Sequence, residues 1–252
     1  MFAPAEREAI RTALIDRAAE DPTIAGAALV GSAARDAEDN WSDIDLVLQL
    51  APDADEPTVA REWTDYLGAI GPVADTFDLF AGGVRYRVFL LESSLQIDLS
   101  FWPFEQFCAT ERPFRLLFGT PGTAAEPEPP DVDSVIGMGW LFALHARSAV
   151  ARDKTWQATL MLDELRDAVV TLMCLRNELP YWHGRGVDEL PGDQRSKLES
   201  SRAAHINSTD LDTSRRRLTG LLLEEIEHVD HERAARLQSA FDQLLTPLRI
   251  AR

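Results

Sequence analysis

Between residues 42 and 50 the sequence reads SDIDLVLQL, in which Ile44, Leu46, Leu48 and Leu50 fall on one side of an extended chain and Asp43 and Asp45 on the other. This alternation requires a sheet with one face packed on helices and the other carrying paired acids. Two carboxylates this close repel unless a cation neutralises them. Hard oxygen ligands of this kind suit Mg²⁺, whose remaining positions go to water and to substrate phosphates. A third acid follows in LQIDLSFWP, where Leu95, Ile97, Leu99 and Phe101 form one face and Asp98 stands on the other with Gln96 and Ser100. If the two strands are neighbours, Asp43, Asp45 and Asp98 form a triad that can hold two metal ions. Such a pair activates an attacking oxygen and stabilises charge on a leaving phosphate.

Ahead of the first acids stands GSAARD, at the end of an apolar run from Ile24 to Val30. A glycine there lets the backbone approach a phosphate, and the N–H groups that follow, in a short helix over residues 32–35, can cradle a triphosphate. Gly31 and Ser32 are thus candidate nucleotide-binding residues. Phosphoryl transfer also calls for cations, and Arg35 and Lys154 are the candidates; Lys154 is one of only two lysines, the other being Lys197. Each element has an ordinary structural reading, since a Gly-Ser pair serves as turn and N-cap and an edge strand exposes polar groups. Their combination in this order points to catalysis.

The rest of the chain divides in two. Helical spacing over residues 5–20 (Ile10, Leu14, Ala18) and 57–70 (Val59, Trp63, Leu67, Ile70) brackets strands at 24–30 and 44–50, and further strands are expected near 73–80, 85–91 and 95–101. The stretch GTPGTAAEPEPPDVD, residues 119–133, has no apolar period and reads as a linker. Beyond it, residues 134–151, 155–179, about 209–229 and 231–245 carry helical patterns. The fold class is therefore α+β: an N-terminal domain over residues 1–118, with a mixed sheet flanked by helices, then an all-helical substrate-binding domain over 134–252. In the second helix of that domain Trp156, Leu160, Leu165, Val169, Leu172 and Leu179 read as core. Asp163, Glu164 and Asp167 cluster on the remaining surface, either as a stripe with Arg166 or as holders of a cationic acceptor.

GSAARDAEDNWSDIDL with the later QIDLSF resembles the nucleotidyltransferase superfamily typified by DNA polymerase beta, in its small bacterial form. The domain order resembles the aminoglycoside and lincosamide adenylyltransferases, which join AMP from ATP to an antibiotic hydroxyl. The resemblance implies that Gly31 and Ser32 contact the triphosphate, that Asp43, Asp45 and Asp98 bind metal, and that Asp98 takes the proton from the acceptor hydroxyl. ATP or another nucleoside triphosphate is the implied co-substrate, with two Mg²⁺ ions. Asp36 departs from the pattern, since many relatives have glycine there, but aspartate tolerates a left-handed backbone better than most residues. The alternatives are a transferase acting on protein or RNA, or a non-catalytic nucleotide sensor. A further pair, Arg176 and His183, has the loose spacing of helical RNA-cutting domains, but Pro180 falls between them and keeps them off one helix face.

Forty-two acidic residues against 25 basic ones give a formal net charge of -17, which disfavours nucleic acid and anionic membranes and suits a cationic small molecule. Cys108 and Cys174 lack metal-ligand spacing and read as free buried thiols of a reducing compartment. The N-terminus has the charged amphipathic pattern of a helix and not of a signal peptide, and no apolar run is long enough to span a bilayer. These features lead to the expectation of a cytoplasmic protein.

Overall fold

A computed structural model describes residues 2–109, 114–124 and 130–248. The chain forms two compact units, Met1–Glu128 and Pro129–Arg252. The division falls within the Pro-rich stretch 119–133, of which residues 125–129 lie outside the described residues.

In the first unit, helix α1 (Pro4–Glu20) leads into strand β1 (Ile24–Leu29), a single short helical turn α2 (Gly31–Ala34) and strand β2 (Ile44–Leu50). Helix α3 (Glu56–Ile70) follows, then β3 (Val73–Ala81), β4 (Val84–Leu91), β5 (Gln96–Trp102) and β6 (Arg115–Phe118). The six strands form one mixed sheet in the order β3-β4-β5-β2-β1-β6. β2 and β5 run parallel and the other neighbours antiparallel. The parallel pair is possible because α3, β3 and β4 supply the crossover that a tight turn cannot.

The leucine face of β2 is buried as its alternation requires. Ile44, Leu46, Leu48 and Leu50 pack with Leu14 of α1, Trp63 and Leu67 of α3 and Ile97, Leu99 and Phe101 of β5. Trp63 is fully buried yet satisfied, its indole N–H donating to Asp21 Oδ2 at 3.1 Å. Asp55 caps α3 by accepting from the Thr58 amide at 3.3 Å, with proline in the first turn where no amide donor is needed. The other face of the sheet carries a smaller cluster of Ala28, Val47, Val84, Trp102 and Phe107. β6 was not foreseen from the sequence. Its four residues, RLLF, are too few to show a period, and it exists by pairing with β1, Leu29 opposite Arg115 and Ala27 opposite Phe118.

The second unit is helical: α4 (Val132–Ala151), α5 (Thr155–Arg176), α6 (Gly192–Ser200), α7 (Ser208–Val229) and α8 (His231–Leu245). α4 starts two residues before its expected position because Asp131 caps it, accepting from the amides of Asp133 and Ser134. Ile136, Ala143, Leu162, Leu165, Val169, Leu172, Leu222, Ile226 and Phe241 share one core. Two charged pairs are buried with it. Arg215, 0% exposed, donates to Asp212 Oδ1, and Arg176 grips the buried Glu225 through two bonds of 2.8 Å.

The expected core of α5 needs one correction, since Trp156 and Leu160 are 69% and 60% exposed. The buried stripe runs through Ala158, Leu162, Leu165, Val169 and Leu172. Trp156 precedes Ala158 by two residues, about 200° around a helix, so it and Leu160 point to the opposite side. Cys174 is buried as expected and burial pushes its thiol up, whereas Cys108 is only half-buried. Among the described residues no helix is long and apolar enough to cross a membrane.

Candidate active site

The register of the sheet brings the three acids together. β2 and β5 are adjacent and parallel, with Ile44 opposite Ile97 and Asp45 opposite Asp98. Asp43 sits one residue before β2 begins, on the same side as Asp45. One carboxylate oxygen from each of Asp43, Asp45 and Asp98 lies within 4.8 Å of the others, and all three residues are half-buried. Burial and the negative charge of Asp43 both push the Asp98 carboxyl up, opposed by Gln96, whose amide donates to both Asp98 oxygens at 3.1 Å.

Gly31 is explained by this cluster. Its φ is +62°, a left-handed value, and a Cβ built on it would stand 2.0 Å from Asp45 Oδ2. Only glycine leaves both the backbone conformation and the space the carboxylate occupies. Ser32 follows in α2, its hydroxyl buried and without a hydrogen-bond partner among the described residues. The turn closes through the amides of Arg35 and Ala37, both donating to the Ser32 carbonyl at 3.1 Å. Asp36 adopts φ +51°, the left-handed conformation that aspartate was expected to tolerate, and accepts an ion pair from Arg115 of β6 at 2.8 Å.

The segment that delivers Asp43 is anchored by residues that sequence reasoning did not single out. Arg7 of α1, 6% exposed, donates to the Ser42 carbonyl at 3.0 Å and to that of Asp39. Arg11, one turn further along α1, pairs with Glu38. Asp39 folds the segment on itself, accepting from the Trp41 amide at 2.8 Å and the Ser42 hydroxyl at 2.9 Å, bonds that hold its carboxyl below the usual range. The signal was present in the sequence as two arginines one helical turn apart in α1.

Arg35 lies exposed at the end of α2, beside the Gly31-Ser32 turn. Lys154 lies in the second unit, exposed, at the N-cap of α5. Asp163 pairs with Arg166 at 2.5 Å, while Glu164 and Asp167 are exposed. Arg176 is engaged with Glu225, and His183 stands in a short turn at φ +54°, off any regular helix.

No protein-family model matches the chain, and no curated protein matches its sequence. Solved structures similar to it include an aminoglycoside 6-adenyltransferase from Bacillus subtilis, 12% identical with a TM-score of 0.41 over 95% of this chain and 98% of that one. A nucleotidyltransferase-like protein from Exiguobacterium sibiricum 255-15 is 14% identical with a TM-score of 0.37, covering 94% of this chain and 89% of that one. The polymerase core of TRAMP, an RNA surveillance complex, is 16% identical with a TM-score of 0.32, covering 88% of this chain and 56% of that one.

Proposed function

We propose that the protein is a Mg²⁺-dependent nucleotidyltransferase that moves a nucleoside monophosphate, AMP from ATP, onto a hydroxyl of a small molecule and releases pyrophosphate. The observation that carries this reading is the convergence of Asp43, Asp45 and Asp98 beside a turn whose glycine is dictated by Asp45. Three carboxylates this close, one of them with its acidity weakened by burial and, to a lesser degree, by the charge of Asp43, form an all-oxygen donor set suited to a hard divalent cation. The three aspartates would hold the metal, which supplies charge neutralisation for the phosphates and lowers the barrier to attack at phosphorus.

The chain's own groups then have separate tasks. The Ser32 hydroxyl, without a partner among the described residues, and the turn around it offer donors to the triphosphate. Arg35, exposed beside that turn, supplies positive charge that phosphates need. In the transfer, the acceptor oxygen forms a bond to the α-phosphorus, the bond to the bridging oxygen of pyrophosphate breaks, and the acceptor proton passes to Asp98. A carboxyl raised by burial is suited to take that proton. The net charge of -17 supports a cationic acceptor over a polyanionic one. Aminoglycoside and lincosamide antibiotics are the candidate acceptors.

Pyrophosphate release from each of the four ribonucleoside triphosphates with Mg²⁺, across a panel of aminoglycosides and lincosamides, tests the reading. Acceptor-dependent release with ATP that disappears in Asp43→Asn/Asp45→Asn is expected. Release unaltered in that double variant would overturn the assignment.

A further inference from the structure

In the second unit a pocket of about 220 Å³ lies where α5 meets α7 and the segment between α6 and α7. Leu162, Leu211 and Ile206 form an apolar wall, and Ile206 is left 48% exposed. The polar lining holds a single acid, Asp163, which engages one Arg166 nitrogen, and more donors than that acid satisfies. Ser214 is 1% exposed and its hydroxyl has no hydrogen-bond partner among the described residues. Arg166 gives one terminal nitrogen to Asp163 at 2.5 Å, while its buried Nε–H has no partner there either. Arg202 borders the same pocket, exposed and without an ion pair among the described residues.

Buried polar groups in folded proteins are almost always satisfied, and one left without a partner costs on the order of a lost hydrogen bond. Here a hydroxyl and two guanidinium groups line one cavity, and among the described residues Asp163 is the one acid in that lining, in a chain that has 42. The ligand that completes such a set is an acceptor with negative charge. The planar fork of an arginine matches a carboxylate, and the wall of Leu162, Ile206 and Leu211 matches an apolar body attached to it.

We infer that the pocket between α5 and α7 is a binding site for a small organic carboxylate, held by Arg166, Arg202 and Ser214. The site belongs to the second unit, and the inference does not depend on the transfer reaction proposed above.

Calorimetric titration of the full chain with benzoate tests it, with benzylamine and inorganic phosphate titrated in parallel. Benzoate is expected to bind saturably, and Arg202→Ala to weaken it roughly tenfold, the scale of a charge-assisted hydrogen bond. Ser214→Ala is expected to weaken it by a smaller factor, and Arg202→Lys to recover part of the loss. Arg202 is exposed, so its replacement tests the site even if the buried Ser214→Ala variant melts early. The inference is overturned if benzoate gives no saturable heat up to about 10 mM, the weak end of small-ligand binding. It is also overturned if Arg202→Ala binds benzoate unchanged, or if phosphate or benzylamine binds more tightly than benzoate.

Discussion

At the residue scale the site is a balance between stability and chemistry. Three carboxylates with oxygens within 4.8 Å of one another repel in the absence of a cation, and burial adds to the cost at Asp98. An aspartate whose folded pKa is raised removes stability as pH rises through that value. Asp98→Asn is therefore expected to raise the melting temperature at pH 7 in the presence of a chelator, by roughly 3 °C, and the gain should fade at low pH where Asp98 is protonated. The same variant should lower pyrophosphate release by about 100-fold or more. A melting temperature that falls would contradict the repulsion inferred from the geometry. Gly31→Ala makes the complementary case. A left-handed alanine costs about 1–2 kcal/mol, and its Cβ would displace the Asp45 carboxylate. A displacement of that size is expected to cut turnover about 100-fold, read from the same assay. The shared face of Asp45 and Asp98 could be read from the sequence because strand alternation assigns faces directly. The role of Gly31 in making room for Asp45 could not, since it arises from the approach of two segments and leaves no periodic mark.

At the scale of elements, charged side chains fasten the edge of the sheet to its helix. Arg87 of β4 pairs with Asp78 of β3 at 2.6 Å and donates to the Ala60 carbonyl and the Thr64 hydroxyl of α3. Arg85 pairs with the same Asp78 and with Glu56. The Arg87 bond, followed by the charges of Arg87 and Arg85, holds the Asp78 carboxyl below its ordinary value of 3.8. A lowered folded pKa gives stability that is present above the unfolded value and is lost as pH falls through the folded one. Asp78→Asn should thus destabilise by about 0.5–1 kcal/mol at pH 7, the scale of a partly solvated ion pair, with the difference closing below pH 3.8. Urea unfolding at several pH values measures it. In the second unit, Arg176→Ala would leave Glu225 buried and unpaired and should destabilise by about 3 kcal/mol, seen in the same experiment. The long helices and the start of β2 were legible because apolar residues repeat along them at about 3.6 or 2 residues, although β2 is buried on both faces from Leu46 onward. β6, the edge pairs and the true stripe of α5 were not, because they depend on partners distant in the chain. Trp156 and Leu160 show the limit well: they have helical spacing with each other but lie opposite the buried face.

At the scale of the whole molecule, a mixed sheet and a helical bundle share a chain with a formal net charge of -17. Such a field concentrates cations near the surface and is screened by salt. If the acceptor is cationic, its KM should rise roughly threefold to tenfold between 50 and 500 mM salt, while turnover at saturation changes little. An acceptor KM independent of salt would argue against electrostatic attraction as a source of selectivity. The order of the two units was legible from the change of periodicity across the Pro-rich stretch, whereas the acceptor is a property of side chains that no periodicity encodes. In the reading we propose, Asp43, Asp45 and Asp98 bind a nucleoside triphosphate through metal. Calorimetric titration with a non-hydrolysable ATP analogue tests it most directly, in Mg²⁺ and in chelator, for the native chain and for Asp43→Asn/Asp45→Asn. Saturable binding that requires both Mg²⁺ and the two aspartates is the predicted result; no binding, or binding of equal strength in chelator or in the double variant, would contradict it.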